Sequence, residues 1–189
     1  MKRILDKMTI KELWGLYPVA LVAPKSNWKT WYREEEAELR KVIPASVIYR
    51  IEHVGSTALS NIWAKNIVDI MLEVRSQDDL LKVRNILLGH GYRCMSQGAH
   101  RISLNKGYMT DGITTRVFHL HVRIVGDHDE LYFRDYLNEH PEAAKAYEKL
   151  KLELCRQFGN NKEQYIAHKT EFVQKYTAIA KQLYKNRYE

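Results

Sequence analysis

The run from Arg50 to Val74, RIEHVGSTALSNIWAKNIVDIMLEV, constrains the fold more than any other stretch, because two strand patterns flank a Gly-Ser turn within it. Tyr49 to Val54 predicts a strand, Gly55-Ser56-Thr57 a tight turn opening a short helix, and Ile67 to Val74 a second, apolar strand. A period of two puts Asp69 and Glu73 on one face of that second strand and Val68, Ile70, Leu72 and Val74 on the other. One face is expected to be dry and the other to carry acid. Glycine lets a backbone approach a ligand closely, and free N–H groups at a helix start attract anions such as phosphate. Gly55, Ser56 and Thr57 are therefore candidates for phosphate binding, with Lys65 as a neutralising charge. Singly, these residues also fit an ordinary turn and a solvated acid; their combination points to a site.

Thr114 to Val125 predicts another strand. Phe118, Leu120, Val122 and Ile124 alternate with Val117, His119, His121 and Arg123, as in a half-buried antiparallel strand. If the second set shares a face with Asp69, a carboxylate, two imidazoles and a guanidinium open onto one cleft, with His53 near the turn. Neutral histidine binds metals and titrates near physiological pH. A polar sheet face of hydrogen-bonding histidines explains the same pattern, and both readings stand.

The remaining segments frame this centre. Thr9 to Glu12 predicts a capped helix ending before Pro18, and Val19 to Val22 an edge strand. Ser26 or Asn27 opens a helix with the stripe Trp28, Trp31, Tyr32, Leu39 and Val42, its acids Glu34 to Glu38 mostly outward. Ser76 to Asp79 caps a further helix that Gly89 and Gly91 close. Strands follow at Tyr92 to Met95 and Arg101 to Asn105, then a turn-rich segment, Lys106 to Gly112, expected as an exposed loop or lid. From a cap at Asp127 to Glu130 onward the pattern is helical, with Pro141 in a first turn and aromatic stripes through Tyr147 and Phe172. The expected fold class is α+β, a mixed or antiparallel sheet flanked by helices. The chain reads as one domain, 1–189, with a core near 19–125 and C-terminal helices over 126–189.

Composition bounds the function. A net charge of +7 favours an acidic partner, yet lysines and arginines alternate with acids, so no nucleic-acid signature emerges. Cys94 and Cys155 form no CxxC pair, and the expected compartment is the cytoplasm, with both as thiols. The longest apolar stretch is short and contains Pro18, so no membrane partner is expected.

A Gly-Ser turn followed by an acid on a strand resembles the nucleotidyltransferase superfamily. There the usual pattern is Gly-Ser and then Asp-x-Asp, two carboxylates that hold a divalent metal on a triphosphate. Here Asp69 stands alone: the position two residues before it is Ile67 and two after it Met71. The run Glu52 to Ala58, the spacing Lys65-x-x-x-Asp69, the strand His119-Leu120-His121-Val122, and the stretches Phe133 to Leu137 and His140 to Ala144 together resemble the GrpB family. The resemblance implies a nucleotidyltransferase-like fold and a nucleotide or other phosphorylated ligand. It further implies a magnesium or manganese ion held by Asp69, with His119, His121 and Glu52 assisting, and Asp69, His119 and His121 as catalytic residues. Gly55, Ser56, Thr57, Lys65, Arg101 and Arg123 would hold phosphate. Related domains are fused to dephospho-coenzyme A kinase in some organisms, which implies, as an alternative, a non-catalytic module with a protein partner linked to coenzyme A metabolism. The histidine strand gives a third reading, a metal-dependent hydrolase.

Overall fold

The computed structural model describes residues 18–109 and 112–188. The helix expected at Thr9 to Glu12 lies outside them, as does Asp111. Five strands, β1 (Arg50–Val54), β2 (Val68–Val74), β3 (Arg93–Gln97), β4 (Arg101–Met109) and β5 (Gly112–Ile124), form one sheet in the order β1-β2-β5-β4-β3. Only β2 and β5 run parallel. The connection between them carries α2 (Gln77–Leu88) and the β3–β4 pair. Ahead of the sheet lies α1 (Asn27–Val42), and after it α3 (Asp129–Glu139), α4 (Pro141–Phe158) and α5 (Lys162–Leu183).

The alternation in β2 and β5 decides which layer covers which face. Val68, Ile70, Leu72 and Val74 join Leu120 and Val122 under Trp28, Trp31 and Leu39 of α1 and Leu80, Val83 and Leu87 of α2. Fully burying each such side chain stabilises the fold by about 1.5–3 kcal/mol. Truncating fully buried Ile70 to Ala would cost about 2–5 kcal/mol. Helix α2 begins where the capping pattern predicts: the Ser76 hydroxyl accepts from the Asp79 N–H at 3.1 Å. On the other face, Met71 packs with Val54 and with Leu131 of α3. Helices α4 and α5 join through the stacked rings of Tyr147 and Phe172, 5.3 Å apart, and Phe133 of α3 meets Tyr147 edge-on at 5.2 Å.

Several expectations are corrected. Val19 to Val22 is not a strand, since Val22 makes only an isolated bridge to Ala64. The described residues of the expected lid at Lys106 to Gly112 are ladder: β4 continues to Met109 and β5 starts at Gly112, with Tyr108 in register with Ile113. Gly107, at φ +99°, marks the irregularity there, and a Cβ on it would meet the Arg116 carbonyl at 2.3 Å. The cap expected at Asp127 is absent, because His128 occupies the N-cap position and makes no capping bond. Glu35 of α1 faces inward, bonded to the Tyr92 hydroxyl at 2.9 Å and to Lys106 at 2.6 Å. The acid-bearing face of β2 is closed as well as the dry one, and Glu73 is wholly buried.

Candidate functional site

Parallel pairing of β2 and β5 sets Asp69 opposite His119, Met71 opposite His121 and Glu73 opposite Arg123. Side chains opposite one another in register share a face. Asp69, His119 and His121 therefore converge on one side of the sheet, which meets the condition that the strand patterns leave open. His121 Nε2 approaches Asp69 Oδ1 at 3.3 Å and His119 Nδ1 approaches it at 3.4 Å. The other nitrogen of His119 lies 2.8 Å from the Tyr108 hydroxyl. Burial lowers the His119 pKa to about 4, against the pull of Asp69. A neutral tautomer suits these contacts: Nδ1–H faces the carboxylate and Nε2 accepts from Tyr108. Burial works to raise the Asp69 pKa, but its interactions with the two imidazoles outweigh that and hold the carboxyl well below the usual range.

The turn after β1 closes against this carboxylate. Gly55 has φ +69°, and a Cβ there would lie 2.4 Å from Asp69 Oδ2. Only glycine meets both demands, so the backbone hugs the acid. Ser56 opens a short 3-10 turn, Ser56–Ala58. Thr57 turns the opposite way: it is buried, and its hydroxyl lies 3.0 Å from His53 Nε2. His53 pairs in register with Ile70 and stacks on Tyr32 of α1, ring centroids 4.8 Å apart, so it belongs to the α1 side.

Two residues that the sequence reading did not single out complete the cleft. Lys151 of α4 is buried, and its ammonium donates to Ser56 Oγ at 3.1 Å and to the Trp63 carbonyl at 2.5 Å. Lys169 of α5 is the other. Lys65, Lys151 and Lys169 all lie within electrostatic range of one another and of Asp69. Burial first, then repulsion from Lys169, lowers Lys65 to about 8 and Lys151 to about 7; Asp69 for Lys65, and Glu148 then Asp69 for Lys151, only partly offset this. Lys169 is shifted upward, chiefly by Tyr147, with Asp69 adding to the attraction. Three ammoniums thus gather near Asp69, with the Glu148 carboxylate beside Lys151. A signal for both helical lysines exists in the sequence. Ala144, Tyr147, Lys151 and Leu154 are spaced at three, four and three residues, and Tyr165, Lys169, Phe172 and Tyr176 at four, three and four. Each lysine interrupts an otherwise apolar helical stripe.

Other expected site residues lie elsewhere. Arg123 stands opposite Glu73, two residue pairs from Asp69 along the strands, where its guanidinium is paired with Glu130 and Asp127. Arg101 is in register with Arg123 at that same remote end. Strand length separates both arginines from the turn, so neither joins it in holding phosphate. Glu52 shares the Asp69 face, but its carboxylate binds Arg134 at 2.9 Å. Among the described residues, no group of three His, Cys, Asp or Glu side chains is arranged to hold a metal ion. Magnesium and manganese favour oxygen donors, and the second carboxylate implied by the superfamily pattern is absent. The donor set at Asp69 does not fit that two-carboxylate site.

Comparison with known proteins agrees with the fold. The GrpB protein family model matches residues 18–178. The chain is similar to the UPF0157 protein YqkA of Bacillus subtilis, 33% identical over 178 residues, covering 91% of this chain and 51% of YqkA. The chain thus spans about half of YqkA's length. It is also 33% identical to the glutamate-rich protein GrpB of Alkalihalophilus pseudofirmus, over 82% of this chain and 91% of that protein. The crystal structure of conserved protein GrpB from Enterococcus faecalis superposes with a TM-score of 0.76 at 25% identity, covering 87% and 99% of the two chains. A chain of the GLD-2/RNP-8 complex shares the fold alone, with a TM-score of 0.52 at 13% identity over 95% of this chain and 71% of that one. The mixed sheet with its flanking and C-terminal helices is nucleotidyltransferase-like, and no helix among the described residues is long and apolar enough to cross a membrane. The chain belongs to the GrpB protein family.

Proposed function

We infer that the cleft between the Asp69 face of the sheet and helices α4 and α5 binds a phosphorylated ligand, a nucleotide or another phosphate ester. One observation carries this reading: Lys65, Lys151 and Lys169 gather near two carboxylates, Asp69 and Glu148, so the cleft holds more positive charge than its own acids match. Crowding ammoniums in a buried site is costly, and an incoming anion relieves that cost. Ser56 supplies a hydroxyl beside Lys151, and Gly55 keeps the entrance free of a side chain. His119 and His121 orient Asp69, whose negative charge keeps the lysines together when no ligand is bound. Ammonium groups neutralise the phosphate in this reading, and no step is routed through a metal.

The test is thermal unfolding with pyrophosphate and with ATP, each in EDTA. A ligand that binds only the folded state raises the melting temperature, by an amount equivalent to about 2.7 kcal/mol at a hundredfold excess over Kd. Wild-type protein should show the rise and Lys151→Met should lose it. No rise with either compound at millimolar concentration would overturn the reading. The single carboxylate also favours a second one: a module that retains the fold without transfer chemistry and works through a protein partner linked to coenzyme A metabolism. That reading expects indifference to both compounds and recovery of a specific partner.

A further inference from the structure

Helix α1 is laced with ion pairs, and their arrangement leaves a remainder. Its four acids are all committed: Glu34 to Arg116, Glu35 to Lys106 at 2.6 Å, Glu36 to Arg40 at 2.8 Å and Glu38 to Lys41 at 2.5 Å. Of its four cations, Arg40 and Lys41 are taken by these pairs. Lys29 and Arg33, one turn apart on the same face, have no carboxylate within ion-pair distance among the described residues. Both line a cavity of about 420 Å³ beside β1, at the edge of the sheet.

The rest of the lining narrows what fits. Tyr32 and His53 form one wall, their rings nearly parallel at 9°. Burial lowers the His53 pKa to about 4, so this wall is a neutral aromatic surface at physiological pH. Arg134 and Asp135 also border the cavity but satisfy each other at 2.8 Å, and Asp135 further engages Arg187 and Tyr188. The cavity's own acid is thus spent, while two cations remain. Asn138 adds an uncharged amide.

We propose that this cavity is a second ligand site, for a small planar molecule carrying a phosphate monoester, its anion on Lys29 and Arg33 and its ring on an outer face of the Tyr32–His53 stack. A monoester near its dianionic state matches two cations, and flat π-systems and guanidinium groups both favour ring faces. This site does not rest on the lysine-lined cleft: His53 and Tyr32 lie on the α1 side of the sheet and Asp69 on the opposite side.

The experiment is an NMR titration of the Tyr32 and His53 ring signals with AMP to 10 mM, using adenosine and inorganic phosphate as controls that lack the charge and the ring. Saturable shifts are expected with AMP, and at least tenfold weaker binding for each control. Lys29→Ala combined with Arg33→Ala should weaken AMP at least tenfold at these signals; both side chains are exposed, so the fold is expected to persist. Lys151→Met should leave these shifts unchanged. Absence of shifts, equal shifts in the Lys29/Arg33 variant, or their loss in Lys151→Met would overturn the proposal, the last outcome assigning AMP to the cleft instead.

Discussion

Asp69 and Glu73 are carboxylates on the same face of β2, with Met71 between them, and they meet different company. Around Glu73 each acid has a partner. Arg50 Nε lies 3.1 Å from one oxygen and His128 Nε2 2.8 Å from the other, while neighbouring Arg123 is held by Glu130 and Asp127. Three acids thus face two guanidiniums and an imidazole in a closed cluster that Tyr188 covers, its ring 5.2 Å from the Arg50 guanidinium and 5.7 Å from the His128 ring. Around Asp69 the imidazole opposite it is neutral and three lysines outnumber two acids, Asp69 and Glu148. A paired cluster around buried Glu73 ties the C-terminal helices to the sheet. An unbalanced one beside a hydroxyl-bearing turn is suited to receive an anion.

Breaking the paired end should have the largest effect. Glu73→Ala leaves Arg50 and His128 without their buried partner, and removing one member of such a pair costs about 3–5 kcal/mol. Urea unfolding would show it, and a loss below about 1 kcal/mol would mean that Glu73 does not anchor the cluster. Gly55→Ala comes next, because it combines a left-handed backbone with a Cβ pressed on Asp69 Oδ2. Its expected cost is about 1–3 kcal/mol by the same measurement.

The unbalanced end should respond with the opposite sign. Lys151→Met replaces a buried, repelled ammonium by an apolar side chain of similar length, so stability at pH 7 should rise by about 1 kcal/mol, although two hydrogen bonds are lost. A destabilisation as large as that of Glu73→Ala would erase the contrast. The smallest effect is in the pH profile. Between about pH 7 and 10, Lys151 and Lys65 bind more protons unfolded than folded, because their folded pKa values are lowered to about 7 and about 8. Their contribution therefore makes stability rise with pH across that window. His53 and His119, both lowered to about 4 by burial, make stability fall as pH drops from 6.5 towards 4. A Lys151→Met/Lys65→Met variant should lose the alkaline slope and keep the acidic one.

How far the sequence led can be judged residue by residue. The alternation in β5 predicts that His119 and His121 share a face, because period two is strict in a strand, but that Asp69 joins them follows only from the register of β2 with β5. Arg123 obeys the same parity yet lies at the other end, since parity says nothing about distance along a strand. Lys106 to Gly112 reads as loop because its glycines and Asp111 signal a turn, while cross-strand pairing with the residues after Gly112 carries the ladder through. Glu35 reads as solvent-facing because its partners Tyr92 and Lys106 come from β-segments remote in sequence. Lys151 and Lys169 are legible as lysines on apolar stripes, but their convergence on Ser56 and Asp69 requires the C-terminal helices to fold back over the sheet, which no local pattern specifies.

The central claim is that lysine ammoniums beside Ser56 hold a phosphate. The most direct measurement is a calorimetric titration of pyrophosphate into wild-type protein and Lys151→Met in EDTA at pH 6.5, repeated at pH 8.5. The account predicts binding by the wild type that weakens at the higher pH, and at least tenfold weaker binding by the variant at pH 6.5, equivalent to about 1.4 kcal/mol. Equal affinity for both proteins at pH 6.5, or wild-type binding that strengthens as the lysines lose their protons, would contradict it.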